Sequence, residues 1–192
     1  MAALLLLLSL ILLRAGYART MEPDLAARVA ALKVGINGYI IGARLTAAQK
    51  ETAAAGISND SYAGTYKFQD GDIFIVAASN DDTILAVFQR IEAADMDQAK
   101  VMVSGLMGLF GEPTTMAHDK LIYWAYTDEG KINEEAFNKL KEENKTVNIL
   151  ATVKFNSTFP ITGDDPDSAE TGINYFIISS APLSRDFISR EK

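Results

Sequence analysis

Few residues in this chain could do chemistry. His118 is the only histidine, and acid–base work near neutral pH falls most often to an imidazole. Asp119 beside it could orient the ring, and Ser104 or Ser157 could stand as the nucleophile such a pair activates. The spacing does not assemble that machinery. No G-x-S-x-G elbow lifts a serine above a strand, and His118 lies in a polar connection between Pro113 and Leu121. No catalytic residue is expected, and a hydrolase using His118 is the rival reading.

Metal chemistry has equally little to work with. There is no cysteine, which excludes disulfides, thiol catalysis, Cys-based zinc sites and a lipid carried on a cysteine. The acidic stretch "DDPDSAE", residues 164–170, offers the hard oxygens that calcium takes. It lacks the glycine and glutamate positions of an EF-hand loop and reads as a solvated loop. No metal and no cofactor is expected. The glycines at 35, 38 and 42 do not follow a strand in G-x-G-x-x-G order, so a dinucleotide loop is not expected either.

What remains is surface for contact. "LIYWAY", residues 121–126, is apolar on both faces of a strand. One face must meet helices, and the other must meet either an extra helix over 134–142 or a partner. In the second case Trp124 and Tyr126 are natural anchors, and with Tyr123 and His118 they form the candidate binding set. Three N-x-S/T sequons, at Asn59, Asn144 and Asn156, would carry glycans only in a eukaryotic source and on exposed residues.

The elements that position these residues are readable from periodicity and punctuation. Residues 22–42 start like a helix, with Pro23 in the first turn and Leu25, Val29, Leu32 and Ile36 at helical spacing. The three glycines weaken it toward its end. A short helix covers 46–55, with Thr46 as cap and Gly56 as stop. Two β-rich runs then flank Asp70-Gly71, a tight-turn dipeptide, and a third follows "SNDD", giving an antiparallel meander. The clearest helix runs from Asp97 to Phe110, capped by Asp95 with Gln98 reaching back. Its buried stripe is Ala99, Met102, Val103, Leu106 and Phe110, and Gly111 and Pro113 end it. A strand from Lys120, a short exposed helix capped by Asn133, an alternating strand through Val153 and Phe155, a polar loop and the strand "INYFIISS" follow. The tail from Pro182 is either a short helix or disordered.

Residues 46–92 and 97–179 thus repeat one order: helix, glycine stop, then three strands. The expectation is an α+β fold, with an antiparallel sheet built from two similar helix-plus-three-strand halves and helices packed on one face.

"AKVMVSGLMGLFGEPTT…KLIYWAY", around residues 99–126, resembles small envelope proteins of the BamE/SmpA type. In those, a helix ends in a leucine-glycine-x-proline corner before an aromatic W-x-Y strand. The tandem order is also similar to the β-lactamase-inhibitor-protein architecture. The resemblance implies a non-catalytic exported scaffold working through contacts, or an inhibitor of an envelope or host enzyme. It departs in one respect: the resembled assembly proteins are lipoproteins, and this chain has no cysteine to carry the lipid.

Composition bounds the rest. With 48% hydrophobic and 22% charged residues in 192, the chain has the balance of one globular domain. A formal charge of −7 repels phosphate backbones, so nucleic acid is not an expected partner. The apolar run Ala3–Leu13 falls short of the roughly 20 residues that span a bilayer. It suits a secretory leader, with Gly16 and Ala18 as the small residues before the cut. No Lys or Arg precedes the run, a departure from the usual leader. Residues 1–18 are therefore read as a signal peptide, or else as a retained anchor providing the sole membrane contact, and 19–192 as the domain. The expected protein is a periplasmic or secreted, non-catalytic binding or scaffold protein whose partner is another envelope protein or a small ligand.

Overall fold

The computed structural model describes residues 24–58, 61–161 and 171–188. The leader expected over residues 1–18, the sequon asparagine at 59 and the acidic loop expected over 164–170 lie outside the described residues.

The first helix, α1 (Leu25–Ala31), is capped by Asp24, whose side chain accepts from the Ala26 N–H. It is shorter than its spacing suggested. After Lys33 the chain forms a small hairpin, β1 (Gly35–Ile36) and β2 (Tyr39–Ile40), turning through Asn37 and Gly38 with φ of 52° and 82°. Asn-Gly tolerates the positive φ that a tight hairpin needs, and this overrides the helical spacing that continued to Ile36. Gly42 then passes close under α1. It has φ +83°, and a Cβ there would stand 2.6 Å from the Ala26 carbonyl oxygen, so no side chain fits.

Helix α2 (Ala47–Gly56) opens with a reciprocal capping box between Thr46 and Gln49. It leads into β3 (Ile57–Ser58), β4 (Thr65–Asp70), β5 (Ile73–Ala78) and β6 (Ile84–Ala94). Asp95 and Gln98 cap α3 (Met96–Phe110) in the same reciprocal way, and Gly111 closes it. The second half then runs β7 (Thr115–Ala117), β8 (Leu121–Thr127), β9 (Gly130–Lys131), α4 (Glu134–Glu142), β10 (Ala151–Ser157), β11 (Gly172–Ser179) and α5 (Ala181–Ile188). The alternation expected to begin at Val147 becomes a strand only from Ala151.

Among the described residues all strand pairs are antiparallel, and a nine-stranded sheet takes the order β3-β4-β5-β6-β11-β10-β8-β7, with β9 also on β8. The fold is therefore α+β with an antiparallel sheet. In each half the first long strand lies outward and the last lies inward, so β6 and β11 meet at a seam. One row of side chains crosses the sheet through directly opposed residues: Phe68, Ile75, Val87, Ile178, Val153 and Trp124. All six are 0% exposed. Burying a large apolar side chain fully contributes roughly 1.5–3 kcal/mol, so this row and its neighbours carry much of the stability.

Helices α1, α2 and α3 bury Val29, Ala53, Ala99 and Leu106 in the same cluster as this row. Phe110 of α3 sets its ring 6.2 Å from that of Trp124 and 6.4 Å from that of Phe176. Leu183 of α5 packs against the same core, whereas α4 buries nothing. Arg28 of α1 forks onto Asp128 in the β8–β9 turn and ties the start of the domain to its second half. Among the described residues, one buried polar side chain sits unmatched. Asn174 is 1% exposed, and neither its amide nitrogen nor its amide oxygen has a hydrogen-bond partner. Among the described residues no helix is long and apolar enough to cross a membrane.

Candidate protein-binding surface

His118 and Asp119 occupy the tip of the β7–β8 hairpin. Their φ values are 53° and 54°, and the turn is closed by the Lys120 N–H donating to the Ala117 carbonyl at 3.3 Å. Positive φ at both central positions is the hairpin geometry that follows the natural strand twist. The expected corner between helix and strand thus contains a strand of its own, β7, which sequence reading passed over. Both residues are exposed, and among the described residues no hydrogen bond joins His118 to a carboxylate or hydroxyl. Ser157 is 3% exposed, and its Oγ accepts from the Phe159 N–H. Ser104 lies on the outer side of α3. The structure does not bring these side chains together as an acid–base–nucleophile unit. Among the described residues there is also no cluster of His, Asp or Glu able to hold a metal ion.

The aromatic candidates divide between the two faces of β8. Trp124 is 0% exposed, and its Nε1–H donates to the Gly111 carbonyl at 2.8 Å, locking the strand to the end of α3. Tyr126 is 9% exposed, and burial pushes its hydroxyl pKa up to about 12. Both rings are buried in the core. Tyr123 points the other way and is half-buried, and burial raises its pKa. It stands in a second row, with Phe74, Phe88, Ile177 and Lys154, on the face opposite the Trp124 row. Phe74 and Phe88 stack at 5.1 Å, and the Lys154 ammonium sits 5.5 Å from the Tyr123 ring centre. The second face of "LIYWAY" is thus covered in part by its own sheet neighbours.

The edge beyond β8 has a construction that periodicity could not reveal. β7 pairs with the first part of β8 and β9 with the last part, so one edge strand is made of two separate pieces. Thr114 joins them. It is 0% exposed, its Oγ1–H donates to the Ile132 carbonyl at 2.6 Å, and Oγ1 accepts from the Ala125 N–H at 2.9 Å. The Thr114 N–H donates to the Tyr123 carbonyl and the Ile132 N–H to the Ala125 carbonyl, so the ladder continues through the break. The Lys131 ammonium turns back to the carbonyls of Phe110 and Glu112 at 2.9 and 2.8 Å, satisfying the end of α3.

Hollows adjoin this edge. One of about 570 Å³ is floored by Met107, Pro113 and Met116 and rimmed by Glu112, Glu134 and Glu135. A smaller one of about 200 Å³ shares Met107 and Met116 and reaches Lys100, Ser104 and Ile161. A third, of about 420 Å³, lies between the β8–β9 turn and α4. Met116 on β7 is 45% exposed between the first two. The glycan candidates Asn144 and Asn156 are both exposed. Compared with known proteins, this chain matches no protein family, no curated protein and no solved structure.

Proposed function

We propose that this chain is an exported, non-catalytic binding or scaffold protein of the cell envelope, acting by contact with another protein. The contact lies at the β7–β8 corner. The observation that carries this reading is the two-piece edge strand with its exposed Met116 set between adjoining hollows. Pockets with apolar floors and polar rims are the usual shape of a contact site. The leader-like run Ala3–Leu13 supports export to the periplasm or the exterior.

The absence of cysteine makes the test direct, because a Met116→Cys variant carries a photo-crosslinker at one place only. Val101→Cys, on the exposed side of α3, is the control. Crosslinks formed in an envelope extract from position 116, competed by unlabelled protein and missing from position 101, are the expected result. No crosslink from 116, or equal labelling from both, overturns the assignment. Fractionation with N-terminal sequencing of the mature chain checks the compartment: a mature protein beginning near Arg19 is expected, and an uncleaved cytoplasmic protein refutes export.

A further inference from the structure

We infer that the split edge strand accepts an added strand: an extended segment of a partner protein that alternates apolar and basic residues. This rests on the contact reading above and names the chemistry of the partner.

Three independent features converge. First, β7 ends the strand order. Among the described residues, the main-chain groups on its outer side and that of β9 pair with no further strand. An open ladder is a template for one more strand, and backbone pairing supplies affinity while flanking pockets select side chains. Second, the hollow of about 570 Å³ is lined by Thr115 and Met116 of β7 and by Lys131 of β9, so it runs beside both pieces of the edge. Its floor of Met107, Pro113 and Met116 suits an aliphatic side chain or the stem of a lysine or arginine.

Third, the charge of the rim is one-sided. Glu112, Glu134 and Glu135 are exposed, and among the described residues none of them makes an ion pair. The one cation in the lining, Lys131, has its ammonium committed to two carbonyls at the end of α3. The start of α4 contributes a partial positive charge of about half a unit, which two adjacent glutamates outweigh. A basic segment is therefore attracted and an acidic one repelled, the more so as the chain carries −7 overall. The broken strand adds a register mark. A continuous edge would let an incoming strand slide, whereas the interruption at Thr114 fixes where each residue falls.

The test uses synthetic peptides and amide NMR of the whole domain. The probes are a short peptide of alternating valine and lysine, its valine–glutamate counterpart, and two valine–lysine versions N-methylated on alternate amides, one for each strand edge. The valine–lysine peptide is expected to shift the amides of Thr115–Ala117 and to protect those of Met116 and Lys131, which alternate away from β8. The glutamate peptide should bind at least about tenfold more weakly, and Glu112→Gln with Glu135→Gln should narrow that gap. Only one of the N-methylated versions should lose binding. Equal binding of both would mean a side-chain groove without strand pairing, and equal binding of the acidic peptide would remove the charge argument. Edge shifts that depend on protein concentration alone would assign the edge to a second copy of the chain. Each of these, or no shift at all, overturns the inference. If position 116 still crosslinks a partner while the peptides fail, strand addition falls and the contact reading stands.

Discussion

Thr114→Val separates the hydroxyl at the split edge from the volume it fills. Valine keeps the shape and deletes Oγ1. The Ala125 N–H, on a residue 0% exposed, and the Ile132 carbonyl, on a residue 8% exposed, then lose their partner together. An orphaned buried backbone group costs roughly 1–3 kcal/mol, giving roughly 2–6 kcal/mol for the pair. The added methyl returns about 0.8 kcal/mol of apolar burial. A net loss of about 1–5 kcal/mol remains, on the order of 10 °C in Tm at the middle of that range for a domain of this size. Thr114→Ser is the control, because it keeps both hydrogen bonds and loses one methyl, about 1 kcal/mol. Urea unfolding followed through the single tryptophan reads both. If the valine variant proves as stable as the serine variant, the hydroxyl does not join the two pieces and the account of the edge is wrong.

Four further outcomes follow from named contacts. Trp124, fully buried with its indole N–H engaged, should emit at short wavelength and resist iodide quenching, while Trp124→Phe should cost roughly 2–3 kcal/mol in urea. Gly105→Ala and Gly108→Ala should each stabilise by about 0.5–1 kcal/mol, since a Cβ at either position meets nothing within 4 Å on the exposed side of α3. Asn174→Leu should raise the urea midpoint, because it removes two buried polar atoms that have no partner. Stability should also fall toward both ends of the pH scale. The Lys50 ammonium, and after it the Tyr66 hydroxyl, hold Asp82 below its ordinary 3.8, so its contribution is intact above 3.8 and is lost as pH falls from there through the folded value. Burial and the carboxylates of Asp70 and Asp82 raise Tyr39 and Tyr66, whose share is intact below 10.0 and is lost as pH climbs toward their folded values. Lys50→Met should shrink the acid loss and Tyr66→Phe the alkaline one, both read from urea midpoints against pH.

Local rules made the helices legible and left the edge hidden. The capping boxes at Thr46–Gln49 and Asp95–Gln98, and the stripe from Ala99 to Phe110, are encoded within a few residues, so α2 and α3 could be placed almost to the residue. The inner strands alternate because one face is buried. The fold class followed from their number and turns. β7 and β9 are three and two residues long, too short for a period to register. They exist because Thr114 and β8 hold them, a tertiary fact absent from any short window. The β1–β2 hairpin did carry a signal in Asn37-Gly38, masked by apolar spacing that fits a helix as readily. Of the candidate site, the strand bearing Tyr123, Trp124 and Tyr126 was visible. Which ring faced inward depended on register against β10, and register is set by the whole sheet.

The seam between β6 and β11 has a consequence in time. Residues near 90 find their ladder partners near 175, so the sheet stays two raw-edged fragments until the last strand is made. Closing so distant a pair is slow, since a long loop must be ordered first. Until residues 172–179 emerge, β6 and β10 each keep an unpaired ladder, and β11 shields both edges in a single step when it slots between them.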